Sequence, residues 1–335
     1  MKNHSAGVVA GLNEGMGMNE IDFIEHLRRK ISRSRAVSVG IGDDAAVLAP
    51  LRRGRLVIST DMLVENVDFR IKKDGQRKAP DDFLTPEQIG RKALAVNLSD
   101  MAAMGAKPLA FVLTIGKPTY ISTKWLDCFY NGMMRLAREY GVNCIGGDFS
   151  RAREFSVSVT ILGVAEKPIL RSGAKPGDWI GITGKLGGSI RRHHFDFTPR
   201  VKEGLLLSRH SLVRSMIDVS DGLFQDLQHI LRASGVSAEV DLEAIPVSSD
   251  AIVLCHGDTV AALKRALTDG EDFELLLTVS SRQKAVLEPL WKRKFPSVGI
   301  TWIGRIVKGR PEVQWFSKNK KIRIPNLSCV GYQHF

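Results

Sequence analysis

Apolar positions change period several times along the chain, and each change marks an element. Ile21, Ile24, Leu27 and Ile31 recur at helical spacing after Asn19, a residue suited to cap a helix over EIDFIEHLRRKI, whereas residues 1–18 carry no period and read as a flexible tail. Short apolar or alternating runs predict strands at 55–60 (RLVIST), 110–115, 142–145 and 155–165, with a charged loop from Lys72 to Asp82. Thr85-Pro86-Glu87-Gln88 combines a Thr cap, proline in the first turn and Gln at the third position, so a capping box opens a helix that runs to Gly105. A second helix spans about Thr123 to Tyr140 and stops at Gly141. After a Pro/Gly-bearing stretch at Lys167–Gly177 the pattern restarts, with strands at 178–183, 238–242, 273–279 and 300–307 and a helix from Gly222 to Ala233. Alternating strands and helices of this kind belong to the α/β (α+β) class. The division expected is a tail (1–18), an N-terminal domain with a mixed sheet and helices (19–166) and a C-terminal α/β domain (167–335).

A length of 335 residues suits two cores rather than one. The 44% hydrophobic and 25% charged content is that of a globular protein, and no apolar run reaches the roughly 20 residues a membrane helix needs, so a cytoplasmic location is expected. Four scattered cysteines form neither a zinc motif nor a disulfide framework. The net charge of +12 is spread in small groups without interleaved aromatics, which argues against nucleic acid and suits capture of small phosphorylated molecules.

Acidic and hydroxyl side chains gather where strands and helices end: IGDDAAV (41–47), STDM (59–62), NLSDMAAMGA (97–106), IGGDFS (145–150) and DVSDGL (218–223). Each alone reads as a turn or a cap. Together they describe a site for Mg2+, which takes hard oxygen ligands from a few carboxylates and from substrate phosphates. Ala93, Asn97, Asp100 and Met104 share one helix face, so Asp100 is expected to be half-buried and to need a cation or donors. Gly184-Lys185-Leu186-Gly187-Gly188-Ser189 fails the P-loop pattern, yet a glycine-rich turn opening a helix can receive phosphate. The acidic run Asp269–Glu274 reads alone as a solvated turn, and His193-His194 is expected on the surface.

The ordered series GIGDDAAVL, ISTDMLVENVDF, KALAVNLSDMAAMGAKP, IGGDFSR, RSGAKPGDWIGITG, IDVSDGLFQDLQHI, DGEDFEL and GYQHF resembles the thiamine-monophosphate kinases. That family lies in the ATP-binding superfamily of aminoimidazole ribonucleotide synthetase, selenophosphate synthetase and a hydrogenase maturation factor. The resemblance covers about residues 20–335 and implies the two-domain aminoimidazole ribonucleotide synthetase-like fold. It implies ATP-dependent, in-line phosphorylation of thiamine monophosphate to thiamine diphosphate, Mg2+ as cofactor, ATP as co-substrate, no general base, and a homodimer joined through the N-terminal sheets, with no nucleic-acid or membrane partner. By resemblance Asp44, Ser59, Thr60, Asp61, Asp100, Asp148, Asp218 and Asp221 would hold magnesium, directly or through water. Gly147, Asp148, Arg171 and Ser220 would touch ATP, and Asp68 and Glu271 would face the thiamine phosphate. Asp68 stands where many members carry His, Asp269 replaces a Gly, and Cys329 takes the place of an aromatic that often contacts thiamine. The alternatives are another ATP-dependent enzyme of the superfamily with a different phosphorylated or carbonyl acceptor, and a non-catalytic nucleotide-binding protein.

Overall fold

The computed structural model describes residues 26, 29–30, 37–39, 47–48, 53–71, 83–318 and 320–322. The expected tail, the start of the first helix, the 72–82 loop, Asp44 and Cys329 lie outside them.

A four-stranded sheet runs Arg55–Val64, Ser156–Ala165, Lys107–Lys117 and Asn143–Arg151 in spatial order. The first two pairings are antiparallel and the last is parallel, closed by the helix Thr123–Tyr140, because parallel neighbours need a crossover. Strand alternation sorts the first strand: Val57 and Leu63 are buried, while Leu56, Ile58 and Met62 on its other face are 45%, 60% and 57% exposed.

The helix Pro86–Ala103 begins as expected. The Thr85 hydroxyl accepts from the Gln88 N–H at 3.3 Å, the Gln88 side chain accepts from the Thr85 N–H at 2.8 Å, and Pro86 sits in the first turn. It crosses the helix Thr123–Tyr140 at near backbone contact. A methyl group at Gly90 would lie 1.9 Å from the Phe129 carbonyl oxygen, and one at Gly132 would lie 1.9 Å from that of Glu87. Only glycine at both positions lets the helices approach so closely. Gly141, at φ +63°, ends the second helix in the left-handed cap for which its sequence is suited.

The second sheet has seven strands, in the order Ser215–Asp218, Leu275–Val279, Trp179–Thr183, Ile300–Val307, Ser237–Asp241, Val313–Ser317 and Lys320–Ile322. Its pairings are antiparallel except between Ser237–Asp241 and Val313–Ser317. One face is covered by the helices Leu223–Ser234 and Thr259–Thr268, in a core built around Ile180, Ile217, Leu227, Leu276 and Ile303. Met216, Leu275, Leu277 and Val279 face the other way and belong to one continuous core with the N-terminal sheet and its helices. The helix Pro86–Ala103 therefore contacts strands of both sheets and the helices His193–Asp196 and Val201–Arg209, which is why its buried positions run almost all round. No helix among the described residues is long and apolar enough to cross a membrane.

Candidate active site

Asp61 leaves the inner face of the first strand, Asp100 comes from the helix Pro86–Ala103, and Asp218 ends a strand of the second sheet. These three elements meet where the shared core opens. The Ser59 hydroxyl donates to Asp100 Oδ2, the Ser99 hydroxyl donates to Asp218 Oδ2 at 2.6 Å, and Asp61 shares a hydrogen bond with Asp100. Four residues expected at a metal site are thus gathered by three different elements.

The electrostatics are those of crowded, buried like charges. Burial, and then the charges of Asp100 and Asp218, push Asp61 up to about 8. Burial and the neighbouring Asp100 push Asp218 up to about 7. Burial also raises Asp100, against the opposing pull of Ser59, Asp61 and the Arg171 guanidinium. Asp61 Oδ2 is buried with no hydrogen-bond partner. An orphaned carboxylate oxygen among mutually repelling carboxylates is the donor set a hard divalent cation fits, since the ion supplies the charge and the coordination the cluster lacks. Asp221 lies beside this group; its carboxylate accepts from Gln225 at 3.0 Å and clusters with Asp226 and His229. Burial lifts Asp226 well above the usual carboxylate range, with Asp218 and Asp221 adding to it, while burial and Arg171 lower His229.

Thr60 and Asp148 are placed elsewhere. Thr60 faces out of the first sheet and pairs with Thr160 at 3.0 Å and the Val159 carbonyl at 3.1 Å. Asp148 is exposed on the opposite edge strand, in register with Thr114, which lies across from Ser158, which in turn lies across from Met62. That row belongs to the outer face, so within one chain the backbone separates Thr60 and Asp148 from Asp61. Gly147, next to Asp148, has no room for a side chain: a methyl group would lie 2.1 Å from the Leu113 carbonyl oxygen.

A cavity of about 640 Å3 adjoins the carboxylates, lined by Asp61, Asp68, Ser220, Asp221, Asp269 and Glu271, with Arg70 and Arg265. Met62, Val67, Ile190 and Phe273 add apolar wall. Its size is that of a small-molecule site. Asp68 lies in the turn after the first strand, where its carboxylate accepts from the Val64 N–H at 2.7 Å. Glu271 is held at φ +63°, its N–H donating to the Ser220 carbonyl at 2.8 Å. Burial raises its carboxyl group, against the pull of Lys92.

Two expectations are corrected. The glycine turn at 184–189 does not offer its amides to phosphate. The Gly187 N–H donates to both oxygens of Asp272, at 2.9 and 3.0 Å, and the Gly188 N–H donates to Asp269 at 2.9 Å, so internal carboxylates already occupy the donors. Asp269 and Asp272 thus give a use to the acid that exceeds what a solvated turn requires: they hold the glycine turn. His194 is not on the surface either: it is 1% exposed, because Arg91 on the long helix donates to the Phe195 and Phe197 carbonyls at 2.7 and 2.5 Å and pulls that segment inward. Lys92 is fully buried at 0%, and its sequence position, next to Arg91 at the start of the mostly apolar run ALAVNL, gives only a weak signal of that burial.

Residues 42–165 match the family described as AIR synthase related protein, N-terminal domain, and residues 175–315 match its C-terminal domain. The thiamine-monophosphate kinase of Rhodopirellula baltica is 37% identical over 297 residues, covering 86% of this chain and 89% of that protein. The crystal structure of thiamine-monophosphate kinase from Stenotrophomonas maltophilia superposes with a TM-score of 0.76 at 31% identity, over 92% of this chain and 99% of that one. A further structure, AaThiL complexed with AMPPCP and TMP, superposes with a TM-score of 0.69 at 26% identity, over 98% and 100% of the two chains.

Proposed function

We propose, since the chain belongs to the AIR synthase-related family and within it to the thiamine-monophosphate kinases, that it moves the γ-phosphoryl group of ATP onto thiamine monophosphate, giving thiamine diphosphate and ADP. The observation that carries the chemistry is the convergence of Asp61, Asp100 and Asp218 from separate elements beside a cavity of small-molecule size.

An oxygen of the acceptor phosphate attacks the γ-phosphorus, and the bond from that phosphorus to the bridging oxygen of ADP breaks on the opposite side. The attacking oxygen is already ionised near neutral pH, so no side chain has to remove a proton. Charge is the obstacle, because two polyanions must meet. Asp61, Asp100, Asp218 and Asp221 would hold Mg2+, with Ser59 aligning Asp100 and Ser99 aligning Asp218. Bound Mg2+ supplies the positive charge that screens the two anions and stabilises the transferring group. Arg171 adds fixed positive charge, felt at Asp100 and Asp218. The thiazolium of the acceptor is a cation, which suits the acidic wall made by Asp68 and Glu271.

The exposed apolar face carrying Leu56, Ile58 and Met62 supports a homodimer joined through the first sheet. Asp148 and Thr60 stand on that same face, so a second copy is what would bring an Asp148 towards the phosphates. Cytoplasmic location belongs to the same reading.

The test is incubation with Mg-ATP and thiamine monophosphate, followed by chromatography. Thiamine diphosphate and ADP are expected in equal amounts. ADP accompanied by free phosphate, with no thiamine diphosphate, would replace the kinase with a ligase-like route, and folded protein that forms neither product would remove the named acceptor.

A further inference from the structure

The long helix carries a lysine where a helix in a shared core should carry an aliphatic residue. Lys92 is among the largest side chains wholly buried in the described residues, in company with Phe111, Phe129 and Phe155. Burying an ammonium is strongly unfavourable unless each of its donors is met. Each is met here: Lys92 Nζ donates to the Asp68 carbonyl oxygen at 2.9 Å, reaches Glu271 Oε1 at 2.5 Å and lies 3.1 Å from His194 Nδ1. An ammonium has no lone pair, so the ring nitrogen accepts and the imidazole proton sits on Nε2.

The three partners come from distant parts of the chain. Asp68 belongs to the turn that follows the first strand, His194 to the short helix His193–Asp196, and Glu271 to the segment entering a strand of the second sheet. Asp68 and Glu271 both line the cavity, on opposite sides of the division between the two sheets. The backbone at Glu271, at φ +63°, is a conformation L-residues rarely hold without support, and Phe273 two residues on is at φ +48°. One buried cation therefore ties a wall from each half of the chain to the helix between them, and Arg91, one residue away, ties the His194 segment to the same helix.

We infer that Lys92 and His194 are positioning residues for the phosphate acceptor: the ammonium holds the Asp68 turn and Glu271 in register across the cavity, and His194 takes its third N–H so that it keeps that aim. The inference rests on reading this cavity as the acceptor site. Neither residue has to touch the acceptor, because each acts through Asp68 and Glu271.

The experiment pairs His194→Leu, which removes the accepting nitrogen, with His194→Asn, whose side-chain oxygen can stand near the place of Nδ1. Lys92→Met is the third variant. Leucine at 194 is expected to raise the KM for thiamine monophosphate about tenfold with the KM for ATP changed less than about twofold, and asparagine to recover the acceptor KM to within about threefold. Without any ligand, amide exchange across 65–70 and 269–273 is expected to quicken in His194→Leu and Lys92→Met relative to wild type. If the two His194 variants behave alike, if both KM values move together, or if exchange in a folded Lys92→Met protein is unchanged, the positioning role is overturned. Wild-type protein that does not phosphorylate thiamine monophosphate overturns the functional reading instead, while the ligand-free exchange comparison still judges the buried tie. Should Lys92→Met fail to fold, the His194 pair decides.

Discussion

Replacing Asp61 by asparagine should make the metal-free protein more stable while removing its activity. The folded protein holds the Asp61 proton up to about 8, against 3.8 for an ordinary aspartate, because of burial and the charges of Asp100 and Asp218. Between those two values the folded state keeps a proton that the unfolded chain has released, so stability falls as pH rises from about 4 towards 8. Each pH unit is worth about 1.4 kcal/mol, so by pH 7 the ceiling on this loss is about 4 kcal/mol. Asp61, Asp100 and Asp218 share their protons, and asparagine should recover about half of the ceiling, or about 2 kcal/mol. For a chain of this size that is a rise of about 4 °C in melting temperature. The amide can still donate to Asp100, so the local hydrogen bond is kept. Thermal melts in a chelator at pH 5 and pH 8 are the assay. The variant should melt above wild type at pH 8, and the gap should narrow at pH 5, where wild type has lost less. Adding Mg2+ should stabilise wild type more than the variant, because an ion bound only by the folded state adds stability. A variant that melts below wild type at pH 8 in chelator would refute the reasoning, since it would mean that the Asp61 carboxylate is held by a partner rather than repelled by its neighbours.

Gly132→Ala should destabilise the protein by about 1–3 kcal/mol, because the added methyl group meets the Glu87 carbonyl oxygen and the two helices must separate. A lower urea midpoint at unchanged slope is the expected signature, and an unshifted midpoint would contradict the close crossing. Ile58→Lys places a charge in the exposed apolar face of the first sheet and should leave a folded monomer in sedimentation velocity, with turnover reduced in parallel. A fully active monomer would separate the outer face from the site.

The elements were legible where a local signal decided them. The Thr85 box, the Gly141 stop and the alternation of 155–165 each predict a boundary that the structure keeps to within a residue or two, because capping and strand pleating are local physics. Asp100 was legible as half-buried because it shares its helix face with Ala93 and Met104 as well as Asn97. Two things were not legible. Whether Thr60 and Asp148 point with Asp61 or away from it depends on strand register and on which face the helices cover, and the register partners, Thr160 for Thr60 and Thr114 for Asp148, lie far along the chain. The fate of His193-His194 and of the glycine turn depended on who claims the backbone: Arg91 takes the carbonyls of 195 and 197, and Asp269 and Asp272 take the amides of 187 and 188. Short motifs name the groups present, and long-range partners decide which of them are left over for a ligand.

The placement of the helix Pro86–Ala103 between both sheets has a consequence for dissection of the chain. A fragment ending near residue 166 would expose one flank of that helix, with Ala102 stripped of the Gly204 backbone that now lies against it; the complementary fragment would bare Met216, Leu275 and Leu277. Each piece would be a wet hydrophobic wound rather than a module, so halves expressed apart should precipitate, and halves expressed together should rescue one another as a split protein.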